Sequence, residues 1–207
     1  VEYATAAVRE AEAFLRARDV IALPDQPVQV ILMPEFQRGY AVAYCDSPGP
    51  LERNLHTFYA VSPIPDDWSD EQATSFLREY NTRAILDIGV HEAMPGHYVQ
   101  IWHANAYPSV LRAVLASGSF VEGWAVYAEE MMCEQGFRAD DPLYRLSQLK
   151  VQLRTITNAI IDSAIHVDGM SEAEMMHLLT QTAFQEEREA AGKWRRAQIS
   201  FTQLSTY

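Results

Sequence analysis

Apolar and polar positions recur with two different periods along the chain, and the change of period falls near Trp68. Residues 2–19 read as a helix, with Val8, Ala11, Phe14 and Leu15 at helical spacing among Glu and Arg, and with Pro24 and Pro27 beyond it. Three short β-type runs follow. Val28–Met33 is bounded by Pro27 and Pro34, Gly39–Cys45 is closed by Ser47-Pro48-Gly49-Pro50, and His56–Val61 is closed by Pro63 and Pro65. The segments between these runs are too short for crossover helices, so the spacing predicts a small antiparallel or mixed sheet.

After Trp68 the period becomes helical almost to the end. Ser69 and Gln72 have the spacing of a capping box. Phe76, Leu77, Tyr80, Ala84, Ile85 and Ile88 then share one face, which predicts a single helix running to about Met94. Pro95-Gly96 interrupts it, and the pattern resumes through Val99, Ile101 and Trp102. Residues 108–116 read as a short helix. Ser119–Gln135 reads as another, with Gly136 in the position of a C-terminal cap. Asp141-Pro142 is an N-cap followed by proline in the first turn, opening a helix to about Ile165. Ser171 and Glu174 open a last clear helix to Ala190. The expected fold class is α+β, predominantly α-helical, with a small N-terminal sheet. One domain over 1–207 is expected, with a helix and the sheet in 1–68 and a helical part in 69–207.

Composition narrows the functional classes. With 48% apolar and 21% charged residues, the 207-residue chain can bury a core. A formal charge of −12 argues against a sequence-independent nucleic-acid binder, which needs a basic surface. It argues equally against attraction to an anionic membrane. No apolar run approaches the length of a membrane-spanning helix. Cys45 and Cys133 match no disulfide framework and no paired-cysteine metal pattern. The chain starts at Val1 within a helical pattern and stops at Tyr207 directly after an apolar–polar run. Both ends therefore read as cut, which leaves room for a leader or further domain outside the sequence.

Candidate chemistry is concentrated in His91-Glu92-Ala93-Met94-Pro95-Gly96-His97. Zinc hydrolases carry H-E-x-x-H, in which histidines four residues apart share a helix face and the Glu is the general base. Here the second histidine comes six residues after the first, a rotation of about 240° on a straight helix. Pro95 cannot continue the ladder and Gly96 tolerates unusual dihedrals, so a local bulge is expected to return His97 to His91. A catalytic zinc needs a third protein ligand. Glu122, beside Gly123 on the next substantial helix, is a candidate, and Gly123 would allow close helix approach. Ser119 and Glu122 also have capping-box spacing, which is a competing role for that carboxylate.

His91-Glu92-Ala93-Met94-Pro95-Gly96-His97-Tyr98-Val99-Gln100, followed by Val121-Glu122-Gly123-Trp124-Ala125-Val126-Tyr127-Ala128-Glu129, resembles the bacterial "domain of unknown function 885" family. Tyr44-Cys45-Asp46-Ser47-Pro48-Gly49 and the closing Thr202-Gln203-Leu204-Ser205-Thr206-Tyr207 extend the resemblance over nearly the whole chain. That family in turn resembles gluzincin metallopeptidases such as thimet oligopeptidase and the M32-type carboxypeptidases. The longer spacing between the histidines is similar to that of dipeptidyl peptidase III. The resemblance implies a zincin-like core, a zinc ion held by His91, His97 and Glu122, and Glu92 as general base on a metal-activated water. It also implies a peptide substrate and a longer bacterial parent chain, possible export included.

Further candidates surround this set. Glu129, seven residues after Glu122, lies on nearly the same helix face and is either an orienting partner for a ligand histidine or a solvated charge. His166, four residues after Asp162, is a candidate donor to a developing oxyanion, or a histidine favoured by the helix C-terminus. Tyr207 is the second candidate donor, on the analogy of gluzincin-like enzymes. Lys193, Arg195 and Arg196 form a basic cluster suited to a substrate carboxylate or to a solvated helix start. The strand Gly39–Cys45 either receives extended peptide along its edge or simply covers helices. His56, His103 and His177 are assigned no metal role.

Overall fold

A computed structural model describes residues 1–39, 41–52 and 55–206. The described residues are mostly helical, with one small sheet. Two compact units make up the chain: Val1–Pro63 with Ile85–Asp140, and Ile64–Ala84 with Asp141–Tyr207. The expected division after residue 68 therefore falls inside the second unit.

The first unit opens with α1 (Glu2–Arg18), which ends where Asp19 turns left-handed at φ 51 and its N–H reaches the Leu15 carbonyl. Ala4, Ala7, Val8, Ala11 and Leu15 form its buried stripe. The strands are β1 (Gln29–Leu32), β2 (Ala43–Asp46) and β3 (Phe58–Val61). They form a mixed sheet in the order β1-β3-β2, with β3 parallel to β1 and antiparallel to β2. Each strand is shorter than its apolar run, and of the predicted Gly39–Cys45 run Tyr40 lies outside the described residues. In the register Cys45 faces Tyr59 and Tyr44 faces Ala60, so the buried Tyr59 and Ala60 sit on the central strand.

The single helix expected from Ser69 to Met94 is two helices, α2 (Asp70–Glu79) and α3 (Thr82–Glu92). The capping box is present at its start, where Ser69 Oγ accepts from the Gln72 N–H at 3.3 Å. The break has a local cause. Asn81 Oδ1 accepts from the backbone N–H groups of Arg83 and Ala84, at 3.0 and 3.3 Å, and starts a new helix. A continuous apolar stripe runs across this break and conceals it from the periodicity.

Three further helices complete the first unit: α4 (His97–Ala106), α5 (Val110–Val114) and α6 (Gly118–Glu134). The cap of α6 is Ser117, whose Oγ accepts from the Phe120 N–H at 3.3 Å. Ser119 therefore lies inside the helix, and the capping box expected for Ser119 and Glu122 does not form. At the other end Gly136 has φ 92, its N–H bonds the Cys133 carbonyl, and the Phe137 N–H bonds that of Met132. This pair of bonds is a Schellman closure, and it needs the left-handed glycine that the sequence supplies.

In the second unit α7 (Pro142–Ser163) starts on Asp141, whose Oδ1 accepts from the Leu143 N–H at 3.1 Å. A wider, π-type turn over Ala164–Asp168 replaces the last part of the expected helix. The helix expected from Ser171 to Ala190 is also interrupted. Its capping box forms and α8 covers Glu172–His177, but a π-type turn over Leu178–Thr182 follows. A separate helix, α9 (Glu187–Ile199), then begins. Ile161, Met175, Leu179, Ala190, Ala197 and Leu204 are wholly buried together in this unit. Among the described residues no helix is long and apolar enough to cross a membrane.

Candidate metal centre

The site is built on the end of α3, the turn after it, and one face of α6, all within the first unit. The problem set by the six-residue spacing of the histidines is solved by a break, not by a bulge in one helix. Ala93 and Met94 N–H groups both reach the Gly89 carbonyl at 3.1 Å, and the Gly96 N–H reaches back to Val90 at 2.9 Å. The loops of the ladder thus widen from five residues to six and then seven as α3 ends. Pro95 follows a cis peptide bond. A new helix, α4, then starts with His97 as its first residue and Gly96 as its cap.

Gly96 is obligatory in this turn. A Cβ at that position would stand 1.7 Å from the His91 carbonyl oxygen and 2.5 Å from that of Val90, both backbone atoms. The result of the tight approach is that the rings of His91 and His97 meet edge to face, with centroids 4.8 Å apart.

Glu122 on α6 completes a group of three. One ligand atom from each of His91, His97 and Glu122 lies within 4.8 Å of the others, the one such set of three or more found among the described residues. Glu122 Oε2 is 3.6 Å from His91 Nε2 and 3.4 Å from His97 Nε2. In a tetrahedral site with bonds of about 2.0–2.1 Å, ligand atoms stand about 3.3–3.4 Å apart. The two edges from Glu122 are close to that and the third is no longer than 4.8 Å, while Glu122 Oε2 is shielded from solvent and has no hydrogen-bond partner among the described residues. A buried carboxylate oxygen aimed between two imidazole nitrogens, at ion-pair distance from both, is a form that a ligand set for a cation takes. The residues present therefore fit a divalent cation. Gly123 has a different role from the one expected: a Cβ there would meet nothing within 4 Å, so no close helix approach depends on it.

Glu129 lies on the same side of α6 and is buried. Its Oε1 accepts a hydrogen bond from His91 Nδ1 at 2.6 Å, which leaves His91 Nε2 to face Glu122. Of the two roles open to Glu129, the orienting contact is the one formed. Burial lowers the proton affinity of His91, but Glu122 and Glu129 beside it, with the charge of Glu92, raise it well above the ordinary histidine value. Burial raises Glu122, and the two imidazoles more than reverse this, bringing it to about 2.

Glu92 follows His91 directly. Its charge also reaches the sheet: after burial, it contributes to holding the Cys45 thiol up at about 12 and the Tyr59 hydroxyl above its usual value. Neither Cys45 nor Tyr59 carried a sequence signal for this neighbourhood, because the register that pairs them is a property of the sheet.

The remaining candidates are placed elsewhere. His166 belongs to the second unit, where its Nε2 donates to the Ala197 carbonyl at 3.0 Å and lies 3.8 Å from Asp162. Tyr207 lies outside the described residues. His103 Nε2 donates to the Ala22 carbonyl at 2.9 Å, and His56 and His177 are exposed. Lys193 is not at a solvated helix start. It is in the middle of α9, 6% exposed, and its Nζ donates to Asn158 Oδ1 at 2.7 Å.

A mostly helical chain with a small mixed sheet and a His-His-Glu cluster is the class this fold and site define. All of residues 1–207 match the family described as "Bacterial protein of unknown function (DUF885)", and the chain belongs to that family. Among solved structures it is similar to a "putative lipoprotein of unknown function" from Shewanella oneidensis, at 39% identity and a TM-score of 0.84. That match covers 100% of this chain and 37% of the other. It is also similar to a "putative lipoprotein" from Colwellia psychrerythraea, at 20% identity and a TM-score of 0.82, over 99% of this chain and 33% of the other. The second likeness shows the fold alone. The chain spans about a third of the length of these solved structures. No curated protein matches it.

Proposed function

We propose that this chain carries the metal ligands and general base of a zinc-dependent peptidase with a zincin-like, gluzincin-type core. The observation that supports it most is the shielded Glu122 Oε2, without a hydrogen-bond partner among the described residues and 3.4–3.6 Å from two imidazole nitrogens. Two imidazoles and one carboxylate suit zinc, and a set of three leaves a position open for water. When bound, the ion would supply a Lewis acid that acidifies water to a pKa of about 7 and polarises a carbonyl.

The chain's own residues supply the rest. Glu129 holds His91 Nδ1–H, so that Nε2 keeps its lone pair for coordination. Glu92 takes the proton of the attacking water and passes it to the leaving amine. The edge strand β2 is the proposed support for an extended peptide. The family's longer proteins are proposed to act on peptides through this centre. Export to a membrane face is proposed on the description of the Shewanella oneidensis relative as a "putative lipoprotein".

The test is Glu92→Gln. Elemental analysis should find one zinc per chain in both proteins, and cleavage of a peptide library should fall by about 10²–10⁴-fold in the variant. A variant that cleaves at the wild-type rate refutes the general base. Zinc without peptide cleavage in the longer relative points to a metal-binding protein, and turnover of esters or amides alone to a different hydrolase.

A further inference from the structure

The two histidines of the centre are held in different ways. The ring of His91 is fixed through its second nitrogen, which donates to Glu129 at 2.6 Å. The second nitrogen of His97, Nδ1, is buried and has no hydrogen-bond partner among the described residues. Among the described residues that ring has its one carboxylate contact on the other nitrogen, Nε2, 3.4 Å from Glu122. Its position must follow from the backbone at the start of α4, where His97 is the first helical residue after the Pro95-Gly96 turn.

One side chain ties that turn to α6. Trp124 Nε1 donates to the Pro95 carbonyl at 2.9 Å. Trp124 stands two residues after Glu122 on the same helix, so the helix that presents the carboxylate also grips the turn that presents His97. The third element of the turn is the Gly96 N–H to Val90 bond at 2.9 Å, which belongs to α3 and not to α6. We infer that Trp124 is a positioning residue for His97: its indole N–H fixes the Pro95-Gly96 turn relative to Glu122, in place of the ring-nitrogen partner that His97 lacks. The relevance to zinc rests on the metal centre proposed above; the positioning of the turn does not.

The experiment compares the wild type with Trp124→Phe, which keeps an aromatic ring and removes the N–H, and with Trp102→Phe as a control at a half-exposed tryptophan. Amide hydrogen exchange is followed in the metal-free proteins. In Trp124→Phe, exchange at Gly96 and His97 should rise at least tenfold, while the α6 amides and the melting temperature stay near those of the wild type. Trp102→Phe should change neither. Zinc affinity, titrated against a chromophoric chelator, should fall about tenfold or more in Trp124→Phe alone, in the range of lost supporting contacts at metal sites. Unchanged exchange at Gly96 and His97 overturns the inference whatever the zinc result. A wild type that takes up no zinc overturns the proposed centre and leaves the exchange comparison to decide the positioning. Should the variant not fold, the wild type still decides: the Trp124 indole N–H must exchange with solvent at least tenfold more slowly than that of Trp102, and equal rates overturn the inference.

Discussion

Replacing Gly96 by alanine puts a methyl group into the tightest part of the histidine-bearing turn. The added Cβ would lie 1.7 Å from the His91 carbonyl oxygen and 2.5 Å from that of Val90. Carbon–oxygen contacts settle near 3.3 Å, so the first is short by about 1.6 Å. Neither obstacle can rotate away, because both are backbone atoms of α3. The turn must therefore shift by a comparable distance. That breaks the 2.9 Å bond from the Gly96 N–H to Val90 and moves His97 off its 3.4 Å separation from Glu122. A lost buried backbone bond costs about 1–3 kcal/mol and overpacking about 1–3 kcal/mol, which together give about 2–6 kcal/mol. For a chain of this size that lowers the melting temperature by on the order of 10 °C. Ligand positions in a metal site are tolerant to only about 0.2 Å, so zinc affinity should fall by about 100-fold or more. Thermal unfolding followed by circular dichroism reads the first effect, and zinc competition against a chromophoric chelator reads the second. Gly192→Ala is the matched control. Gly192 lies inside α9 with nothing within 4 Å of its would-be Cβ, and alanine there should stabilise by about 0.5–1 kcal/mol. A Gly96→Ala protein with wild-type melting and zinc affinity would refute the geometry argued for the turn.

Other residues give independent tests. Glu129→Gln keeps the shape of the side chain but weakens its hold on His91, and zinc affinity should fall about 10–100-fold with little change in helix content; equal affinity would remove Glu129 from the site. Burial depresses Lys193 from 10.5 to about 7 in the folded chain, so between those values the unfolded chain holds more protons. Stability should then rise with pH above about 7, by up to about 1.4 kcal/mol per pH unit from this residue. Lys193→Met should flatten that rise in thermal melts, Glu189 keeping Tyr80 at 2.6 Å and Arg154 at 3.9 Å; parallel pH profiles would contradict the assignment. Asp162→Ala removes an acceptor of the Thr202 and Ser205 N–H groups, each at 3.1 Å, and should cost about 1–3 kcal/mol in urea unfolding, a midpoint unchanged being the contrary result.

Much of the helical architecture was legible because its signals are local. Ser69 with Gln72, Ser171 with Glu174, Asp141 before Pro142, and Gly136 after α6 each act within a few residues, and all formed as their spacing predicts. The failures have a common origin. The break between α2 and α3 depends on Asn81 turning its side chain onto the next two N–H groups, within an apolar stripe that continues across it. The π-type turns at Ala164–Asp168 and Leu178–Thr182 change the helical count with no proline or glycine inside them to mark the change. Lys193 reads as a surface residue by type, yet its burial is decided by Asn158 on α7 and Glu189 on its own helix.

The candidate centre divides in the same way. Residue types and spacing alone marked His91, Glu92, His97 and the Pro95-Gly96 interruption, since ligand chemistry belongs to single side chains and backbone restriction to single residues. What tertiary structure decided is the convergence. Capping was removed from Glu122 when Ser117 proved to be the cap of α6 and its Oε2 stood 3.4–3.6 Å from both imidazoles, and Glu129 was divided between solvent and His91 until the two met at 2.6 Å. Periodicity reports only neighbours a turn or two away along the chain. A glycine that admits no Cβ lets the histidine turn close onto α3, and an indole N–H on a proline carbonyl joins that turn to α6.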